Sequence, residues 1–176
     1  MAEFILETEL AILNLIQMLR CSFLDLILTF ITHLGDKGFL WIALGLGLCF
    51  VKKHRRTGVC ILLALLINLI ICNLSLKPLI ARVRPYEYAE GIKLLINEPH
   101  DFSFPSGHSS SSFAAAFSVW YTNRKWGTVC ALLAGLIAFS RLYLYVHFPS
   151  DVLFGILIGI LSAFAAKSVV GKSHLL

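Results

Sequence analysis

Residues 57–76 read TGVCILLALLINLIICNLSL, 20 positions without one Asp, Glu, Lys or Arg. A helix that crosses the hydrocarbon core of a bilayer needs about 20 mostly apolar residues, so this stretch alone predicts a transmembrane helix. The rest of the chain points the same way. Of 176 residues, 58% are hydrophobic and 14% charged, and mean hydropathy is +0.82. Soluble domains run near ~45–50% apolar and ~25% charged. A chain this short cannot hide so much apolar surface in one water-soluble core. Most soluble enzymes and any disordered tail are excluded. The expected fold is an all-α integral membrane bundle, a single domain over residues 1–176.

Three further apolar runs are clear at 105–122, 126–145 and 148–166, and a shorter one covers 38–51. The region before residue 34 must supply another span. Within 3–19, Glu3, Glu7, Asn14 and Gln17 recur at helical spacing opposite Phe4, Ile5, Ile12, Leu15 and Ile16. That pattern suits a helix lying in the membrane interface, with the first true span at 20–34. The alternative is one long tilted helix from Phe4. The preferred reading is six transmembrane helices preceded by an interfacial helix over 1–19.

Loop charges orient the bundle. Lys52, Lys53, Arg55 and Arg56, then Arg124 and Lys125, then Lys167 and Lys172 fall on one side if there are six spans. That side is expected to be cytoplasmic. These clusters account for much of the net charge of +5. No finger spacing of Cys and His and no basic-aromatic stripe is present, so nucleic acid is not an expected partner. The N-terminus is acidic and lacks a basic n-region, so no cleavable signal peptide is expected. The five cysteines sit in or beside apolar runs without a CxxC and read as small hydrophobes. Trp41, Trp120 and Trp126 read as interfacial anchors, Asn68 and Asn73 as interhelical hydrogen-bond formers. His33, His54, His100 and His174 read as solvated or interfacial.

A second polar group collects on the outward side: Lys77, Arg82, Arg84 and Pro85; Pro105, Ser106, Gly107 and His108; Ser140 and Arg141; His147 and Asp151. Ionisable residues at membrane depth are costly and point to function. Three converging cations repel one another unless an anion joins them, and phosphate fits Lys and Arg donors. Pro105 suits a first helical position, which would leave the amides of Ser106, Gly107 and His108 open to an anion. Asp151 can accept from one ring nitrogen of His147 and leave the other nucleophilic, with His108 as general acid. Each piece alone has a plain reading: snorkelling cations, a helix-start turn, a hydrogen-bonded histidine. Asp36 and Lys37 border the site or form a simple turn. A metal site through His147 and Asp151 would have only His108 to join it and no HExxH, so neither metal nor cofactor is expected.

Taken together the pattern is K-x6-R-P, P-S-G-H and S-R-x5-H-x3-D, with all eleven specified positions present between 77 and 151. It resembles the type 2 phosphatidic acid phosphatase superfamily, membrane lipid phosphatases related in fold to vanadium haloperoxidases. The resemblance implies catalysis by His147, His108 and Asp151, with a phosphohistidine on His147. It implies phosphate binding by Lys77, Arg84, Ser106, Gly107 and Arg141, without a metal. The partners implied are a lipid phosphate substrate and membrane lipids. Undecaprenyl pyrophosphate is the first candidate substrate, then phosphatidylglycerophosphate or phosphatidic acid. The implied location is a bacterial plasma membrane with the site outward. A non-catalytic lipid-anion binder or transporter is the alternative of another class. Cysteines placed at positions 53 and 90 are expected to react with an impermeant maleimide from opposite sides; labelling from one side refutes the six-span topology.

Overall fold

The computed structural model describes residues 2–89 and 91–172; Glu90 and His174 lie outside them. Its helices are α1 Ala2–Gln17, α2 Ser22–Leu34, α3 Phe39–Phe50, α4 Arg55–Asn68, α5 Lys77–Ile80, α6 Gly107–Trp120, α7 Arg124–Tyr143 and α8 Pro149–Lys172. The uncharged stretch of 57–76 is helical throughout, but its second part, Leu69–Leu76, has π-type hydrogen bonding that runs straight into α5. The expected spans at 20–34, 38–51, 105–122, 126–145 and 148–166 each contain one helix.

Among the described residues, three segments are long and apolar enough to cross a membrane: Lys52–Tyr88, Arg124–Tyr143 and Pro149–Gly171. The pair Glu3–Gln17 and Ser22–Leu34 would make a fourth, but its halves meet at 119°. That angle argues against one long tilted helix from Phe4. α3 and α6, with 12 and 14 residues, fall short of the ~20 that cross a bilayer unaided. The outside of the bundle is apolar: Phe23, Leu26, Phe30, Phe50, Leu132, Leu153 and Leu161 are all exposed. Water would not tolerate such a surface on a monomer, and lipid does. This is a membrane protein.

The core runs along α6. Ser109, Ser110, Ser112, Ala114, Ala115, Ala116 and Ser118 are buried, which lets neighbouring helices come close. α8 comes close at Gly159, where an added Cβ would stand 2.3 Å from the Ser110 carbonyl oxygen. Trp41 is not an interfacial anchor. It is 1% exposed and donates its indole N–H to Ser112 Oγ at 2.9 Å, because α3 turns that face inward. Trp126 is exposed. The asparagines also differ from expectation. Asn68 is buried with an unpartnered Oδ1, and both Asn68 and Asn73 line the cavity described below. Cys60 and Cys72 are buried, but Cys21 is exposed.

α1 leaves Phe4, Ile5, Ile12 and Leu15 exposed. Its polar residues do not simply face water. Gln17 donates to the Tyr143 carbonyl at 2.8 Å, Asn14 accepts from the Tyr145 hydroxyl at 2.9 Å, and Glu9 is buried. Gly159→Ala is expected to lower the melting temperature of the detergent-solubilised protein, since overpacking costs about 1–3 kcal/mol. Unchanged melting would mean that α8 does not lie on α6.

Candidate active site

The three motif stretches meet. Lys77 stands where the long α4 rod passes into α5, and Arg84 follows it by one turn of loop. His108 is the second residue of α6, Arg141 lies in the last turn of α7, and Asp151 in the first turn of α8. Lys77, Arg84, Gly107, His108, Arg141 and His147 line one cavity of about 590 Å³. Ile42, Leu62, Leu65, Leu66 and Leu69 supply an apolar wall to the same cavity. Ser106 and Asp151 are fully buried and stand behind it.

The local chain explains each placement. α7 ends in a tight turn, 144–148, that is buried throughout. Tyr145 adopts φ 60 there, a left-handed conformation that a bulky side chain rarely takes. Its hydroxyl bond to Asn14 and its packing with Leu13 and Phe148 hold it. His147 is thereby delivered to the cavity. Arg84 clamps the turn from the other side: Nη1 donates to the Val146 carbonyl at 2.6 Å and stands 3.3 Å from His147 Nε2.

Two expectations need correction. His147 does not hydrogen-bond Asp151. Nδ1 stands 3.6 Å from Oδ2, beyond hydrogen-bond range, and this buried nitrogen has no partner. The carboxylate is already served by closer donors. It accepts from Ser103 Oγ, from the Phe148 amide at 2.9 Å and from Arg82 Nη1 at 2.7 Å. The second correction concerns the start of α6. Pro105 precedes the helix, and Ser106 is its N-cap. The Ser106 amide donates to the Asp151 carbonyl at 3.0 Å, so it is not open to an anion. The amides at this helix end that follow it are those of Gly107 and His108.

Sequence reasoning missed the anion that holds the cations. Asp101 accepts from Lys77 Nζ and, at 2.6 Å, from Arg84 Nη2; Arg84 Nε reaches the Asp101 carbonyl at 2.9 Å. Burial pushes the Asp101 carboxyl up, but Lys77 and Arg84 outweigh it and hold its pKa at about 2. The sequence signal was weak: Asp101 is one of four acids in the loop 81–104 that also carries Arg82 and Arg84. Arg82 was noted among the outward residues, but it points away from the cavity's cations. It bridges Asp151 to Glu9 at 2.5 Å and stacks on Phe148 at 3.9 Å. Arg141 donates Nη1 to Thr32 Oγ1 at 2.6 Å, while its buried Nε has no partner. Among the described residues, no three His, Cys, Asp or Glu side chains converge as metal ligands do.

The comparisons agree with this geometry. The sequence matches the PAP2 superfamily over residues 57–175. It is 34% identical over 164 residues to "Phosphatidylglycerophosphatase B" of Bacillus subtilis, covering 85% of this chain and 77% of that protein. It is 29% identical over 147 residues to "Undecaprenyl-diphosphatase" of Sulfolobus acidocaldarius, covering 83% of this chain and 70% of that one. The crystal structure of Aquifex aeolicus LpxE superposes with a TM-score of 0.81 at 29% identity, covering 92% of this chain and 95% of that one. The chain belongs to the PAP2 superfamily. It is a membrane phosphatase, a hydrolase.

Burial, then the charges of Arg84, Arg141 and Lys77, press the His147 pKa well below its ordinary 6.5. Its ring is therefore neutral at neutral pH. Expected is a kcat/KM that holds its neutral-pH value well below pH 6.5 before an acid limb appears. An acid limb at or above 6.5 would contradict a neutralised His147.

Proposed function

We propose that the protein removes a terminal phosphoryl group from an isoprenoid lipid diphosphate at the outer membrane face, with undecaprenyl diphosphate as substrate. The observation that carries this reading is the shared cavity. Two imidazoles and the cations Lys77, Arg84 and Arg141, with Lys37 beside them, line it together with an apolar wall from α3 and α4. Its volume falls within the ~300–1,000 Å³ typical of small-molecule sites. The polar end suits a phosphoryl group, and the apolar wall suits the first part of a lipid tail.

In this reading Lys77, Arg84 and Arg141, with the Gly107 and His108 amides, hold the phosphoryl oxygens. His147 Nε2 attacks phosphorus as the bond to the leaving oxygen breaks, and the proton from His108 goes to that oxygen. A phosphohistidine results. Water then attacks it while His108 takes the water's proton, and orthophosphate and free His147 are regenerated. Asp151 holds the turn that carries His147 through the Phe148 amide, 2.9 Å away, and faces the ring as a counter-charge. The fixed cations supply the stabilisation of developing negative charge. Ser106 acts as the cap that fixes the helix end, not as an amide donor.

The bundle is read as six crossings with α1 on the surface. Exposed Phe23, Leu26 and Phe30 on α2, and exposed Leu46 and Phe50 on α3, suit lipid-facing helices. The Sulfolobus acidocaldarius relative, an undecaprenyl-diphosphatase, supports the diphosphate substrate. The Bacillus subtilis phosphatidylglycerophosphatase B, at the higher identity, supports the second reading, a glycerophospholipid monophosphate.

Purified protein is expected to release phosphate faster from undecaprenyl diphosphate than from phosphatidylglycerophosphate or phosphatidic acid, with EDTA without effect. His147→Ala should abolish release, and His108→Ala should slow it about 10²–10⁴-fold, each in protein that still inserts. Full activity in His147→Ala refutes the nucleophile; strong EDTA inhibition refutes metal independence. Preference for phosphatidylglycerophosphate selects the second reading, and inactivity on the whole panel favours a lipid-anion binder.

A further inference from the structure

The turn that closes α2, residues 32–37, lies outside the three motif stretches and outside the span matched to the family. Yet it touches two cavity residues. His108 Nε2 donates to Asp36 Oδ1 at 2.9 Å. The other carboxylate oxygen, Oδ2, stands 2.8 Å from His33 Nδ1. The hydrogen bond from His108 comes first, and that from His33 also contributes. Against the opposing effect of burial they hold the Asp36 carboxyl at about 2, so it is ionised and only accepts. Behind the ring, Gly35 leaves no room: an added Cβ there would stand 2.7 Å from His108 Cδ2 and 2.8 Å from Ile137 Cγ2. The next two residues, Lys37 and Gly38, take φ 50 and φ 70, which folds Asp36 back over α6. Thr32, one turn earlier, receives Arg141 Nη1 at 2.6 Å.

We propose that Asp36 is the positioning residue of the general acid: it fixes the ring and tautomer of His108 so that Nδ1 presents its proton to the leaving oxygen. This rests on the reading of His108 as proton donor. With Nε2 committed to Asp36 and Cδ2 pressed on Gly35, the Nδ1 edge is the one left for the substrate. When Nδ1 gives up its proton to the departing oxygen, the ring becomes neutral and keeps Nε2–H on Asp36. When water attacks the phosphohistidine, the same Nδ1 takes the water's proton. A carboxylate on the far nitrogen stabilises the cationic ring before the first step and after the second, and between them it holds the neutral ring in the Nε2–H tautomer that leaves Nδ1 free to accept. It is the counterpart, for the acid, of an orienting carboxylate on a base.

The test separates acid positioning from a structural role through the leaving group. Dioctanoyl phosphatidic acid expels an alkoxide and needs the proton; p-nitrophenyl phosphate expels a weakly basic phenolate and does not. Asp36→Asn and Asp36→Ala are both assayed, as monodisperse detergent complexes, so one poorly folding variant does not remove the test. His108→Ala runs beside them. Expected is a fall in kcat/KM on phosphatidic acid of about ten- to a hundredfold, the scale of a misplaced catalytic group, with less than about threefold loss of kcat/KM on p-nitrophenyl phosphate, because kcat/KM covers the steps up to departure of the leaving group and not the later attack of water that both substrates share. His108→Ala should show the same selectivity with a larger loss. If His108→Ala is selective and the Asp36 variants lose equally on both substrates, or lose nothing, the positioning role is overturned while the acid stands. If His108→Ala itself lacks selectivity, the acid assignment falls and this inference with it.

Discussion

The structure depends on keeping like charges together where they would otherwise separate. Lys77, Arg84 and Arg141 are all buried and share one cavity wall. Coulomb repulsion between such groups grows as water is withdrawn, and a buried cation without partners is costly. The chain answers with fixed acceptors drawn from elsewhere. Asp101 joins Lys77 to Arg84, the Val146 carbonyl takes a second Arg84 proton, and Thr32 takes one from Arg141. Each answer ties two distant segments together. The polar site is thus also what registers the loop 81–104, the α7–α8 turn and the end of α2 against one another.

Around this centre the helices do a simpler task. Small residues on α6 let α8 lie against it, and the contact at Gly159 sets the distance. The start of α6 and the start of α8 are then neighbours, joined by the bond from the Ser106 amide to the Asp151 carbonyl. This is why residues 105–108 and 147–151 meet although some 40 residues separate them. Arg82 and Glu9 extend the same lattice to α1, so the N-terminal helix is coupled to Asp151 through one guanidinium.

The helical class and the convergence of the motifs were legible in the sequence because both rest on strong, local signals. An uncharged run of 57–76 permits little but a membrane helix, and eleven residues at fixed spacing leave few unrelated readings. What was not legible is whatever depends on which partner wins when several compete. Asp151 has a histidine four residues before it, but Ser103, Arg82 and the Phe148 amide reach it first. Ser106 would offer its amide to an anion, but Asp151 supplies a carbonyl. Trp41 carries the same side chain as Trp126, and only helix packing decides that one is buried and the other exposed. Asp101 had no periodic or motif context at all. It became visible only once the loop folded over Lys77 and Arg84. Asp36 had been placed at the edge of the site, but the bond to His108 spans 72 residues, too far for spacing to reveal.

The seat of Asp101 has a consequence for turnover. Its carboxylate already spans two of the cations that a phosphoryl group would take, and it stands on a loop with its side chain 55% exposed. Arrival of a ligand is therefore an exchange of anions, not the filling of a bare positive hole. On the proposed function, the same tethered carboxylate would compete with orthophosphate for Lys77 and Arg84 as the product leaves.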